Sequence, residues 1–486
     1  MSRRTFPLDA LALDRTSRAP LHRQLYLALK TLIQERTLPP ETALPSTRSL
    51  AHDLRIARNT VSAAYDQLVT EGYLANRAGA RPLVIDLPAV PLAASPGSAR
   101  EAHYPLSCRG DLMMRQPFHY GSPGHMAFHP GMPDASNFPF GLWSRLLARR
   151  ASFARDTLFG TYNVTGHPDL RNAIAAYLKT ARGVRCSPEQ IVVTTGAQAG
   201  LDLLARILLD PGDSVWMEEP GYYGAQSAFI AAGARLLPLA VEGGDWQLDP
   251  PADKRLRLIY VTPSCHHPLG GTMRMEQRLR LLEIAENRKA WIIEDDFDGE
   301  YRFQGQPVPA MQGFDHAQRV IYVGTFAKIL FPALRLGFMV LPPSLQEGIV
   351  HAVSITGQFA PLLLQAALAD FIDQGHMARH LRRMRRIYAS RRHYFHELCG
   401  AHLGDWLNLA SGDAGIQLTA FLREGLADTA VAEAARRRNV NLSPLSMHYR
   451  HGAPRQGLVM GYAASDASAT RRGILTLRET FEACRA

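Results

Sequence analysis

"GTFAKILFPALRLG", residues 324–337, places a single lysine among small and apolar residues, with an arginine seven positions later. The chain carries its positive charge almost wholly on arginine, its lysines being Lys30, Lys179, Lys254, Lys289 and Lys328. On both sides of this stretch, short apolar strands alternate with helices: "QIVVTTGAQAGLDLLARIL", "DSVWMEEPGYYGAQSAFIAAG", "LRLIYVTPS", "AWIIEDDFDGE", "VIYVGTFAKIL" and "LGFMVLP". Such alternation implies an α/β domain on a largely parallel sheet. In open α/β sheets, ligands bind beyond the carboxyl ends of the strands. Gly196, Tyr222, Ser264, Asp295 and Lys328 each fall at such an end. Groups distant in the chain are therefore expected to meet in one crevice.

A lysine, an aspartate, an arginine and an aromatic ring together suit pyridoxal phosphate (PLP). The lysine forms a Schiff base with the aldehyde, an acid pairs with the pyridinium nitrogen, cationic and backbone donors hold the phosphate, and an aromatic side chain stacks on the ring. "TTGAQAGLDLL" adds a strand-to-helix turn whose backbone N–H groups and helix dipole favour an anion. Spacing alone leaves Asp296 a rival to Asp295.

The first 87 residues have a different pattern. "LHRQLYLALKTLIQE" repeats Leu21, Leu25, Leu29, Leu32 and Ile33 at helical spacing. "PSTRSLAHDL" opens on Pro45 and Ser46, an N-cap before a short helix. After the turn "RIA", the stretch "RNTVSAAYDQLVTEG" puts Val61, Ala64, Tyr65, Leu68 and Val69 on one face, with Gly72 as the stop. Two helices around a three-residue turn make either a helix-turn-helix or a small bundle with a solvated arginine face. In the first reading Arg58, Asn59 and Thr60, at the start of the second helix, approach bases or phosphates, and Arg48 reaches the backbone of double-stranded DNA. The segment holds eleven Arg and one Lys against eight acids, part of a net charge of +10. That balance permits a polyanionic partner without requiring one.

Between them, residues 88–125, with "PAVPLAASPGSAREAHYP" at their start, are rich in Pro, Ala, Ser and Gly and read as a linker. The expected layout is 1–87 for the DNA reader, 88–125 for the linker and 126–486 for the α/β domain. The α/β domain divides into a large part to about 340 and a smaller α+β part at 341–486. Five cysteines, with no CxxC pair or close cluster, argue against a disulfide frame or a metal site. No apolar run reaches membrane-spanning length and no cleavable leader opens the chain, so a cytoplasmic protein with no membrane partner is expected.

"LPSTRSLAHDLRIARNTVSAAYDQLVTEGYL" resembles the winged-helix DNA-binding domain of GntR-type regulators, over roughly residues 18–86. It departs from them in the wing, where "RAGARPLV" replaces the usual Gly-Ser-Gly-Thr turn, leaving Arg77 and Arg81 to meet a groove. Residues 126–486 resemble a fold-type-I aminotransferase placed behind a winged helix, as in the MocR/GabR regulators. The resemblance implies that Lys328 is the Schiff-base lysine, that Asp295 pairs with the pyridine nitrogen and that Tyr222 stacks on the ring. It also implies that Arg335, Thr325, Ala197 and Gln198 bind the phosphate. The same family often has a tyrosine two residues past the pairing aspartate, able to hydrogen-bond the cofactor's ring hydroxyl; Phe297 stands there. "PSCHHPLG" puts Cys265, His266 and His267 at the pocket wall in place of the common Pro-Ser-His-Gln-Phe-Pro pattern. "GLVMGYAAS" lacks the late arginine with which catalytic relatives hold a substrate carboxylate, and Arg450 is either a substitute anchor or a surface residue. The resemblance thus implies a PLP-responsive regulator, a homodimer that senses PLP or a PLP–amine adduct rather than an enzyme. A working aminotransferase with an accessory N-terminal domain is the alternative. The basic helix "HMARHLRRMRRIYASRRHYF" is either a phosphate contact or a solvated face.

Overall fold

The structure of the protein is a computed structural model that describes residues 6, 8, 11–76, 81–86, 105–116, 126–153, 158–160, 162–303, 305, 308–412 and 414–485. The chain forms two compact units, Met1–Tyr104 and Pro105–Ala486.

The first unit contains helices α1 (Leu21–Gln34), α2 (Thr47–Asp53) and α3 (Arg58–Thr70), then the short strands β1 (Leu74–Ala75) and β2 (Leu83–Val84), paired antiparallel. The Ser46 side chain accepts from the Ser49 amide at 3.1 Å, capping α2 as its sequence suggests. Leu25, Leu29, Leu50, Val61, Ala64 and Leu68 are fully or almost fully buried in one core, so the helical spacing read from the sequence is the packing face. Gly72, at φ +80, ends α3 in a left-handed turn. Polar pins fix the angles between the helices. The Tyr65 hydroxyl donates to the Pro45 carbonyl at 3.0 Å, and Glu71 accepts from the Tyr26 hydroxyl at 2.6 Å and from Lys30 at 2.9 Å. Arg77 lies outside the described residues.

The second unit is built on an eight-stranded sheet. Its strands are β3 (Ile191–Thr194), β4 (Ser214–Glu219), β5 (Arg235–Glu242), β6 (Asp245–Trp246), β7 (Leu256–Val261), β8 (Trp291–Asp296), β9 (Val320–Thr325) and β10 (Gly337–Val340). They lie in the order β3-β10-β9-β8-β7-β4-β5-β6. The central neighbours are parallel, β10 runs antiparallel to both β3 and β9, and β6 is antiparallel to β5. The strands β3, β4 and β7 to β10 are buried on both faces, which is why they read as nearly continuous apolar runs. Side chains alternate across it. Ile293, Val323 and Met339 pack with Tyr260 in one core, Tyr322, Phe338 and Val340 lie in another, and Ile292 joins Trp216 and Ile259 in a third. A second, antiparallel sheet carries β11 (Leu407–Leu409), β12 (Gln417–Leu422), β13 (Ser443–Pro444) and β14 (Gly457–Gly461) in the order β11-β12-β14-β13, after the 28-residue helix His376–Leu403. The α/β class, with a large mixed-sheet part and a smaller α+β part, is thus the observed fold.

Two glycines of the opening stretch have steric causes. Gly324 sits opposite Phe338 in the β9–β10 register, and a Cβ there would overlap the phenyl ring. A Cβ on Gly337 would stand 2.9 Å from the Ala197 amide, so glycine lets β10 lie against the turn after β3.

Within the stretch read as a linker, residues 105–116 carry a short helix, Cys108–Met114, beside the helix Tyr223–Ala231. Ser107 caps it at 3.0 Å, and Arg115 pairs with Asp111 at 2.9 Å one turn back. Capping, one ion pair and packing against Tyr223–Ala231 support two helical turns that composition alone does not reveal.

Candidate functional site

The strand ends deliver Tyr222, Asp295 and Lys328 to one region, whereas the Ser264 hydroxyl accepts from the Arg182 guanidinium at 2.6 Å, on the Asp296 side. Lys328 follows β9 by three residues and is half-buried, and its Nζ donates to the Gly131 carbonyl at 2.6 Å. Gly131 adopts φ +64, and a Cβ there would overlap the lysine nitrogen. Burial pulls the Lys328 amine below the ordinary lysine value, opposed by the negative charges of Asp298 and Asp295.

Asp295 and Asp296 are separated by the alternation of β8. Asp296 Oδ2 takes the Arg182 guanidinium, Nε at 2.7 Å and Nη2 at 2.5 Å, together with the Tyr322 hydroxyl at 2.6 Å. Asp295 lies on the opposite face, where its Oδ2 accepts from the Tyr260 hydroxyl at 2.7 Å. Its Oδ1 is buried without a hydrogen-bond partner among the described residues. Burial raises the Asp295 carboxyl to about 7, Asp296 adding to the rise, while the Tyr260 hydrogen bond and Lys328 work against it. Asp296 Oδ1 is also without a partner, but Asp296 is already committed to a buried ion pair. Structure thus separates two acids that spacing could not.

Around the turn after β3, Gly196 takes φ +99 and precedes the helix Ala197–Leu208, with no side chain capping it. The first amides of that helix, those of Ala197 and Gln198 among them, have no acceptor within the helix. The Arg335 guanidinium lies over this end, its Cζ 3.7 Å from where a Gly196 Cβ would stand; Arg335 itself adopts φ +52 and is exposed. Thr325 is buried, and its Oγ1 accepts from the Ala327 amide at 3.2 Å. Gln198 turns its side chain to the aromatic wall, donating to the Gly224 carbonyl at 2.8 Å and accepting from the Tyr222 hydroxyl at 3.2 Å.

Of the three pocket-wall candidates, one reaches this region. Cys265 is buried and its thiol is pushed well above the usual range by burial. His266 packs edge-on against Trp246, with 5.4 Å between ring centroids. His267 stands between Tyr222 and Phe297, edge-on to both at 5.3 and 5.4 Å. Arg450 is exposed; its Nε donates to Gln226 Oε1 at 2.9 Å, and its amide donates to Glu219 at 3.3 Å. Among the described residues, no group of three or more His, Cys, Asp or Glu side chains is arranged to hold a metal, and no helix is long and apolar enough to cross a membrane.

Sequence reading did not single out Gly131, Tyr260, Arg182 or Gln417. Only a positive φ marks Gly131, and the others are defined by partners from 35 to 150 residues away.

In the first unit, Arg48, Arg58 and Asn59 are exposed and Thr60 is half-buried at the start of α3. Arg58 Nε donates to the Thr47 hydroxyl at 3.3 Å, linking the two helices on that side. Arg15, absent from the sequence reading, donates to the Leu54 and Arg55 carbonyls at 3.3 and 3.0 Å and so clamps the turn between the helices.

Comparison with known proteins agrees with both halves. The family model described as aminotransferase class I and II matches residues 136–456, and that of bacterial regulatory proteins, gntR family, matches residues 21–84. The chain is 52% identical over 97% of its length, and 96% of the relative's, to the probable rhizopine catabolism regulatory protein MocR of Rhizobium meliloti. It is 28% identical over 92% of its length, and 93% of the relative's, to the HTH-type pyridoxine biosynthesis transcriptional regulator PdxR of Corynebacterium glutamicum. Among solved structures, it resembles the α-aminoadipate aminotransferase LysN of Thermus thermophilus, complexed with N-(5'-phosphopyridoxyl)-L-leucine. The TM-score is 0.68 and the identity 27%, over 74% of this chain and 93% of that one.

Proposed function

Because this chain belongs to the MocR-type transcriptional regulators, which join a GntR helix-turn-helix to an aminotransferase class I and II domain, we propose that it regulates transcription in response to PLP or a PLP–amine adduct. The observation that carries the cofactor half of this reading is the buried Asp295 Oδ1 without a partner, in the same crevice as the Lys328 amine. An acid raised by burial and one hydrogen bond short fits a protonated ring nitrogen, which would supply the missing donor and the compensating charge. The uncapped helix end under Arg335 fits a phosphate. The proposed assignment is Lys328 for the aldehyde, Asp295 for the ring nitrogen and Tyr222 for the ring face. Arg335, Thr325 and the amides of Ala197 and Gln198 take the phosphate. When bound, the group would supply an electrophilic carbon for an amine effector. Asp295 would hold the ring nitrogen's proton, the Tyr222 wall would exclude water, and Arg450 would meet an effector carboxylate.

A second copy of the chain is part of the proposal. Phe153, Phe159, Tyr162 and Ile355 are 87%, 62%, 79% and 86% exposed, an amount of apolar surface that suits a homodimer contact. Double-stranded DNA is the partner proposed for Arg48, Arg58, Asn59 and Thr60.

The deciding experiment measures operator affinity of the full chain with and without PLP, alone and with amines, beside a transamination assay on a panel of amino acids. The sensor reading expects affinity to change several-fold to a hundred-fold, about 1–3 kcal/mol of coupling, with slow or no turnover. Rapid turnover with operator affinity indifferent to PLP would replace it with the aminotransferase reading.

A further inference from the structure

His267 is unusual within the crevice, because its Nε2 is buried and has nothing to bond among the described residues. Gln417 Nε2 donates to His267 Nδ1 at 3.3 Å, whereas Nε2 has no partner among the described residues. A neutral imidazole carries its proton on the nitrogen that does not accept, so this contact puts the proton on Nε2 and makes it a donor without an acceptor. Three aromatic neighbours hold the ring. Tyr222, Phe297 and His448 pack against it at 5.3, 5.4 and 5.1 Å between centroids. Its backbone amide donates to Thr262 Oγ1 at 3.0 Å, and that hydroxyl in turn donates to the buried Glu218 at 2.6 Å. A buried donor left unsatisfied is destabilising and calls for an explanation.

Phe297 faces the same spot from the end of β8, two residues past Asp295, and offers no polar atom. We infer that His267 Nε2–H is the donor to the ring hydroxyl oxygen of PLP, with Gln417 as the residue that sets its tautomer. The inference rests on the PLP reading above and names a binding residue that the sequence left undecided. Burial, reinforced by His448, His266 and Lys328, holds the imidazole well below the usual histidine range. The donor is therefore uncharged near neutral pH, and it stabilises the ring oxygen as an anion without adding a cation beside Lys328. A phenylalanine at 297 is then tolerated because the hydrogen bond comes from the opposite wall.

The test uses the full-length protein loaded with PLP, with the visible absorption band titrated against pH. His267→Phe keeps an aromatic ring between Tyr222 and Phe297 but removes the donor. It should raise the titration midpoint by about one pH unit, because the ring oxygen then holds its proton more tightly, and should weaken PLP binding about 10-fold. His267→Asn retains an N–H donor and should stay near the wild-type midpoint. The double variant H267F/F297Y returns a donor from the other wall and should bring the midpoint back. An unchanged midpoint in H267F, or an equal shift in His267→Asn, overturns the role of His267 while leaving the PLP reading standing. Failure of the wild-type chain to bind PLP at all overturns both.

Discussion

Exchanging Asp295 and Asp296 separately for asparagine should produce opposite failures. Asp296 is in a buried ion pair, its side chain fully buried and that of Arg182 6% exposed, with a Tyr322 hydrogen bond besides. Asp296→Asn leaves a buried guanidinium without its acid, which should cost about 3–5 kcal/mol of folding stability. Asp295 has no cation bonded to it, and burial raises its carboxyl from 3.8 to about 7. An acid raised in this way binds its proton more tightly folded than unfolded. The penalty is thus fully present above pH 7 and fades as pH falls towards 3.8. At pH 8 it amounts to about 4 kcal/mol. Asp295→Asn should therefore make the PLP-free protein more stable at pH 8 and equal to wild type near pH 4, while weakening PLP by the worth of a charged hydrogen bond, about 1.5–3 kcal/mol or 10- to 100-fold. Chemical denaturation at the two pH values and a spectroscopic PLP titration read both effects. The reasoning is refuted if Asp295→Asn keeps wild-type PLP affinity, or if Asp296→Asn loses PLP at unchanged stability.

Gly131→Ala places a Cβ on the Lys328 nitrogen and strains a left-handed residue by about 1–2 kcal/mol, so borohydride-trapped cofactor on Lys328 should fall about 10-fold or more at limiting PLP. Arg58→Ala and Asn59→Ala should each lose about 1–3 kcal/mol of discrimination between operator and random DNA; Arg48→Ala should weaken both alike and lower the salt slope by about 1, measured by fluorescence anisotropy at several salt concentrations. Arg15→Ala frees the carbonyls of Leu54 and Arg55 and should lower the stability of the first unit by about 1 kcal/mol, read by its own thermal transition.

Periodicity and strand-end position were legible in the sequence because they are local. Helical spacing identified the α3 core face from Val61 to Leu68, and the apolar run "IYVGT" located β9 and, three residues on, Lys328. The separation of Asp295 from Asp296 was not legible, because a strand offers both faces and the choice depends on what each face meets. Arg182 comes from the helix Pro168–Arg182 on one side, and Tyr260 from β7 on the other. The family resemblance names Asp295 without giving a physical reason for it. His267 shows the limit from the other direction, since its residue type was visible but its proton was not. The proton's position depends on Gln417, 150 residues later in the smaller sheet.

Hydrophobic period and turn residues act over a few neighbours, so the amino-acid pattern alone reveals the two-part architecture, the α/β class and the strand ends where chemistry gathers. Tertiary packing sets which acid is ion-paired with a buried arginine, which acid meets a tyrosine hydroxyl instead, and which carbonyl receives the lysine amine. Those outcomes are set by burial and by partners brought from distant segments, and desolvation at a buried atom has no local signature in the chain.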